Sequence, residues 1–165
     1  MSRRIYALDT SALISFHRSY FPFDIAPAFW RQLSQKSPGR VVLLDKVREE
    51  IDVNDDELSA WLQENDHCFI MMTAGDEKIV DAYRKIMSSV QANTQYKESA
   101  KRKFAAVADS WLCALALAYG YVVVTQEKYE PAAKKNVKIP NICREFGIPF
   151  INVLEFMRDL GIRFD

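Results

Sequence analysis

The stretch that most constrains what this chain can fold into runs from Phe104 to Val124, FAAVADSWLCALALAYGYVVV. It is apolar almost throughout, yet it carries Asp109, and a carboxylate in such a setting is costly to bury unless something pairs with it. Gly120 splits the stretch. Ahead of it Ala, Leu and Trp dominate, mostly good helix formers. Behind it Tyr121-Val122-Val123-Val124 is a β-branched and aromatic run that reads as a buried strand, and Thr125-Gln126-Glu127 follows at its carboxyl end. The whole is about as long as a membrane span, but the internal Asp and the Gly break favour a helix followed by a strand. One acid thus rides on a helix and a second is delivered just past a strand.

The rest of the chain alternates in the same way. Ile5–Leu8 reads as a first strand ended by Asp9, with Thr10 or Ser11 capping a helix that carries Ala12, Leu13, Ile14 and Phe16. A second helix from about Ala26 to Gln35 has Phe29, Trp30 and Leu33 as an apolar stripe. Val41–Leu44 is an extended run, with Asp45 placed to cap a helix through Ile51. A short helix follows over Glu57–Glu64, then a strand at Cys68–Met71 and a helix over Glu77–Val90. After the organising stretch come a brief strand at Val137–Ile139 and a helix capped by Asn141 and closed by Gly147. A strand at Pro149–Ile151 and a helix at Val153–Leu160 end the chain. This order predicts a single α/β domain over residues 1–165, with a mostly parallel central sheet between two helical layers.

Composition narrows the function classes. Lys+Arg and Asp+Glu number 22 each, so the net charge is zero and bulk charge alone does not hold this protein on nucleic acid. Cys68, Cys113 and Cys143 are widely spaced and show no C-x-x-C pair, which fits reduced, buried thiols in a cytoplasmic protein. His17 and His67 are isolated, and no zinc-binding pattern is present. The N-terminus, MSRRIYALDTSALI, places an Asp inside what would be the apolar core of a signal peptide, so none is expected.

In an open parallel sheet, ligand sites form at the carboxyl ends of the strands. Asp9 and Glu127 both fall there. Asp109 lies on the helix leading to the second of these strands, with Ala105, Ala106, Cys113 and Ala116 as small neighbours at helical spacing. Glu50 flanks the buried stripe Val47–Ile51 and completes a set of four, while Glu49 points further round. Each acid also has an ordinary reading: Asp9 and Asp109 as helix caps, Glu50 as a solvated side chain, Glu127 as a loop residue. Carboxylates held a few ångströms apart repel by roughly 1–4 kcal/mol per pair. A site that gathers several therefore needs a cation, and an all-oxygen set points to Mg²⁺ or Mn²⁺ rather than zinc.

The segments IYALDTSALI, VREEI, ADSWLCALALAYGYVVVTQEK and KIPNICREFGIPFINVLEFM together resemble the PIN-domain family of metal-dependent ribonucleases. The closing KIPNIC stretch resembles an uncharacterised bacterial and archaeal PIN-like subgroup, many of whose members look like VapC-type toxins of toxin–antitoxin pairs. The resemblance implies a PIN-like α/β/α sandwich and an acidic cluster at Asp9, Glu50, Asp109 and Glu127 holding one or two Mg²⁺ or Mn²⁺ ions. Glu50 is preferred to Glu49 because it directly precedes the apolar Ile51, and the fourth acid, commonly Asp in the family, is Glu here. Ser11 and Thr125 match supporting hydroxyl positions. The implied activity is hydrolysis of an RNA phosphodiester, leaving a 5′-phosphate and a 3′-hydroxyl. An antitoxin protein and a homodimer are the partners implied, and no membrane.

Two basic clusters flank the acidic motifs: Lys97, Lys101, Arg102 and Lys103, then Lys134, Lys135 and Lys138. They read either as contacts to an RNA backbone or as a solvated surface. Other classes are less well matched. A haloacid dehalogenase-type phosphatase needs a second Asp where Ser11 stands, and neither a dinucleotide-binding nor a P-loop motif occurs. The alternative from another class is a PIN-like module that binds RNA or protein with little catalysis.

Overall fold

In the computed structural model, which describes residues 3–165, the chain begins with strand β1 (Tyr6–Leu8), followed by helix α1 (Thr10–Ser15). A π-helical turn at Phe16–Tyr20 leads to α2 (Pro27–Lys36). Then come β2 (Val41–Leu44), α3 (Asp45–Asp52), α4 (Glu57–Asn65) and β3 (Ile70–Met72). Helices α5 (Glu77–Ala92), α6 (Glu98–Ala106) and α7 (Ala108–Tyr119) precede β4 (Val122–Val124). Helix α8 (Ile139–Phe146), β5 (Phe150–Ile151) and α9 (Val153–Leu160) complete the order.

The strands form one sheet in the order β3-β2-β1-β4-β5, and every pairing is parallel. Tyr6 lies opposite Val41 on one side and Val122 on the other, and Leu8 lies opposite Val124. The three central strands are buried at every residue, as a parallel sheet covered on both faces requires. Edge strand β3 is half-open, with Met71 exposed. One hydrophobic core runs from the sheet into the helices and includes Leu13, Phe16, Phe29, Leu115 and Phe156. All three cysteines are buried and free, as their wide spacing and the lack of a C-x-x-C pair imply.

Five local expectations are corrected. The apolar stretch ahead of Gly120 is not one helix. Val107, extended at φ −108° and ψ 169°, separates α6 from α7, so Ala105 and Ala106 sit on a different helix from Asp109. Val137–Ile139 is not a strand. Ile139 opens α8 with Pro140 in its first turn, where a fixed φ favours helix and no N–H is missed. Asn141 is therefore inside α8 rather than its cap, and its side chain ties down Glu130: it accepts from Glu130 N at 3.0 Å and donates to Glu130 O at 2.7 Å. Cys68 closes a 3₁₀ turn (Asp66–Cys68) before β3. Asp45 lies within the first turn of α3 and accepts from Ala74 N at 3.0 Å, tying the exit of β3 to the exit of β2.

Candidate active site

The chain leaves β1 toward β2 and β3 on one side, then returns to β4 and β5 on the other. The carboxyl ends of β1 and β4 thus flank the point where strand order reverses, the place where open α/β sheets build ligand sites. Asp9 is the residue after β1. Its backbone N–H donates to Val124 O at 3.0 Å, which locks the two strand ends together. Its side chain is buried, and one oxygen, Oδ2, accepts from the Ser11 hydroxyl and from the Thr125 hydroxyl at 2.9 Å. Asp9 occupies the position before α1, but its carboxylate makes no helix-capping bond. The Thr125 oxygen in turn accepts from Glu127 N at 3.1 Å, so one hydroxyl orients the acids delivered by β1 and β4.

Glu50 arrives from α3, and both of its oxygens are engaged. Oε1 accepts from Thr10 Oγ1 at 2.7 Å and Oε2 from Ala108 N at 2.9 Å. The second bond satisfies one of the free N–H groups at the start of α7, so Glu50 fixes the helix end that carries Asp109. Glu49 points outward, exposed, with Lys46 Nζ 3.9 Å away. Asp109 sits in the first turn of α7, where the helix dipole favours a carboxylate. It lines a cleft of 250 Å³ together with Glu127, Lys103 and Lys138.

Electrostatics join the four acids. Asp109 is pushed up to about 8 by burial and then by the charges of Asp9, Glu127 and Glu50, with Lys103 opposing. Burial also raises Asp9, aided by Glu50 and opposed by the Ser11 and Thr125 hydroxyls. Glu127 is raised by burial and by Asp9, against the Ile139 N–H and Lys138. One oxygen of Glu127, Oε2, is buried with no hydrogen-bond partner.

These features fit a hard divalent cation. The donors are oxygens, their charges oppose one another, and an orphaned carboxylate oxygen is left among them. Among the described residues no three His, Cys, Asp or Glu side chains already converge on one point closely enough to chelate an ion. That is compatible with Mg²⁺, which typically takes one or two carboxylates and keeps several waters.

The basic residues divide. Lys103 and Lys138 stand at the cleft, and Arg102 is exposed. Lys134 and Lys135 are exposed on the loop between β4 and α8 and line a separate depression. Lys101 is corrected as a nucleic-acid contact: it is 4% exposed, and its ammonium donates to Gln91 O at 2.9 Å and to Glu98 at 3.2 Å. Two contributors lie outside the residues that the sequence singles out. Thr10 reads as a helix cap in sequence, although the run Asp9-Thr10-Ser11 sets two hydroxyls beside an acid at a strand end. The Ala108 N–H could be inferred only by placing the helix break at Val107, for which Asp109-Ser110 at a helix start is the available signal.

The all-parallel five-stranded sheet, its helical layers and its strand order define an α/β domain with a PIN-like fold. A chain in the crystal structure of VapBC2 from Rickettsia felis, bound to a DNA fragment from their promoter, superposes with a TM-score of 0.55 at 12% identity, covering 90% of this chain and 98% of that one. By sequence the chain belongs to the family described as domain of unknown function DUF4411, whose model matches residues 6–164. The search of curated proteins gave no match. Among the described residues, no helix is long and apolar enough to cross a membrane.

Proposed function

We propose that this protein is a metal-dependent endoribonuclease, acting as the toxin of a toxin–antitoxin pair. The observation that carries the reading is the set of four carboxylates gathered at the switch point, with Asp109 held near pKa 8 and Glu127 Oε2 buried and unpartnered. In this reading Asp9, Asp109 and Glu127 between them hold one or two Mg²⁺ or Mn²⁺ ions, each through one or two carboxylates and bound waters, and Glu50 completes the set while positioning α7. The bound ion would activate a water and offset charge on the phosphate oxygens. Ser11 and Thr125 orient Asp9, and Thr125 also orients Glu127 through its backbone N–H. Lys103 and Lys138 offer positive charge to the RNA backbone at the mouth of the cleft. The toxin assignment is supported by the fold shared with a chain of VapBC2 and makes an antitoxin the natural partner.

The test is cleavage of RNA by the purified protein with Mn²⁺ or Mg²⁺, beside Asp9→Asn and Asp109→Asn. Wild-type cleavage that chelation abolishes and each variant lowers at least about 100-fold is expected, since removing groups that stabilise charge in a transition state costs factors of this size. Equal activity in wild type and variants sinks the assignment of these acids.

A further inference from the structure

Next to the acid cleft is a larger cavity of 530 Å³, and Glu127 stands on the wall of both. Tyr20 and Phe21 line it from the end of the π-helical turn, Gln126 and Tyr129 from the loop after β4, and Asn152 and Leu154 from the start of α9. Three of the large apolar side chains that the fold leaves open to solvent gather here: Tyr20, Tyr129 and Leu154, at 52%, 40% and 53% exposure. Gln126 spans the space between them. Its Nε2 donates to Tyr20 Oη at 3.1 Å and its Oε1 accepts from Val153 N at 3.4 Å. The Asn152 oxygen accepts from Glu155 N at 2.9 Å, and among the described residues the amide N–H groups of this exposed side chain have no hydrogen-bond acceptor. The Arg144 guanidinium lies 4.0 Å from the Tyr129 ring centroid, and Lys128 stands on the cavity wall.

Resting on the nuclease reading, we propose that this cavity is a nucleobase-recognition subsite, taking one unpaired base of the RNA strand that is cut beside Glu127. The open Tyr20 ring, and the face of Tyr129 opposite the Arg144 guanidinium, offer stacking surfaces for a base, and the Gln126 and Asn152 amides offer donors and acceptors for its edge. The volume lies within the range of small-molecule sites and exceeds what one base needs. Glu127 and Glu155 on the walls repel a phosphate, so the neutral base rather than the backbone belongs inside. Lys128 and Arg144 then meet the flanking phosphates. A base held in a duplex has neither face free, so the subsite selects single-stranded RNA over double-stranded RNA.

The test uses the full chain in EDTA, so that binding is read without cleavage. Nucleoside 5′-monophosphates are titrated while the side-chain amide signals of Gln126 and Asn152 are followed by NMR. Fluorescein-labelled single-stranded hexaribonucleotides and the matching duplexes are titrated by anisotropy. Shifts of those two amides with at least one nucleotide, and tighter binding of single strands than of duplex, are expected. Tyr20→Ala and Tyr129→Ala should weaken single-strand binding by about 5- to 150-fold, the range of one base–aromatic stack. Tyr20→Phe, which keeps the ring and loses the bond to Gln126, should stay within about two-fold of wild type. Wild-type RNA cleavage that Tyr20→Ala and Tyr129→Ala leave unchanged overturns the subsite and leaves the nuclease standing. Nucleotide shifts at Gln126 and Asn152 in a protein that cleaves no RNA overturn the nuclease and keep the base site. Silent amides at millimolar nucleotide overturn the subsite outright.

Discussion

Replacing Asp109 by Asn should stabilise the cation-free protein at alkaline pH. Burial and three neighbouring acids lift the Asp109 carboxyl from its ordinary 3.8 to about 8. Below about pH 4 the residue is protonated in both folded and unfolded chains and costs nothing. Between the two values the folded protein keeps a proton that the unfolded chain has released, so stability falls as pH rises across this window and the loss is complete above about pH 8. A span of roughly four pH units at 1.36 kcal/mol each puts the loss on the order of 5 kcal/mol. The side-chain amide of the variant cannot ionise and escapes it. At about 2–4 °C per kcal/mol for a domain of this size, Asp109→Asn should melt roughly 10–20 °C above wild type at pH 8 in EDTA, and level with it at pH 4. Asp9 and Glu127, raised by the same burial, leave a residual slope of the same sign in the variant. Adding Mg²⁺ or Mn²⁺ should recover wild-type stability at pH 8, by about 2.7 kcal/mol at a hundred times Kd. Thermal melts by circular dichroism across pH 4–8, with and without the ion, measure all of this. A wild-type melting temperature that is flat or rising from pH 5 to 8 in EDTA, with Asp109→Asn superimposed on it, would refute the reasoning.

Glu50→Ala removes the acceptor for Ala108 N and for Thr10 Oγ1, and should lower stability by about 1–2 kcal/mol, as loss of a helix cap does; urea denaturation reads this, and Glu50→Gln should recover part of it. Lys101→Met leaves the Gln91 carbonyl without its donor and should cost about 1–3 kcal/mol while the KM for RNA stays unchanged, separating a structural lysine from a substrate contact. Gly120 closes α7 at φ +73° with nothing within 4 Å of a built Cβ, so Gly120→Ala should cost only the backbone strain, about 1 kcal/mol in thermal melts. A loss above about 3 kcal/mol there would mean that β4 is displaced rather than merely strained.

Much of the site was legible because strand ends announce themselves. Ile5–Leu8 before Asp9, and Tyr121–Val124 before Thr125-Gln126-Glu127, are apolar runs that stop at polar residues, so both acids could be placed at the carboxyl edge of a parallel sheet. Helical phase favours Glu50 over Glu49, since one neighbours the buried stripe and the other is a further 100° round, and the resemblance, in which the acid directly precedes the apolar Ile51, points the same way. What misled was composition. The apolar run through Phe104–Tyr119 hides its break, because Val107 leaves helical dihedrals without a Gly or Pro to mark the place. Lys101 stands among charged neighbours in sequence, yet at helical spacing it shares a face with Phe104 and turns inward.

The sequence by itself determined the alternation of strands and helices, and hence an α/β domain with a parallel sheet and two strand-end acids. Periodicity and turn residues are local properties, and they can be read without knowing which strand neighbours which. Only the tertiary structure decided that β1 lies beside β4, because strand order depends on pairings between segments more than a hundred residues apart. That adjacency turns Asp109 from an isolated acid in an apolar stretch into one whose proton is held up to about pH 8 by burial and then by the charges of Asp9, Glu127 and Glu50. It also places the exposed Tyr20 next to Gln126, across a separation in sequence that no local pattern records.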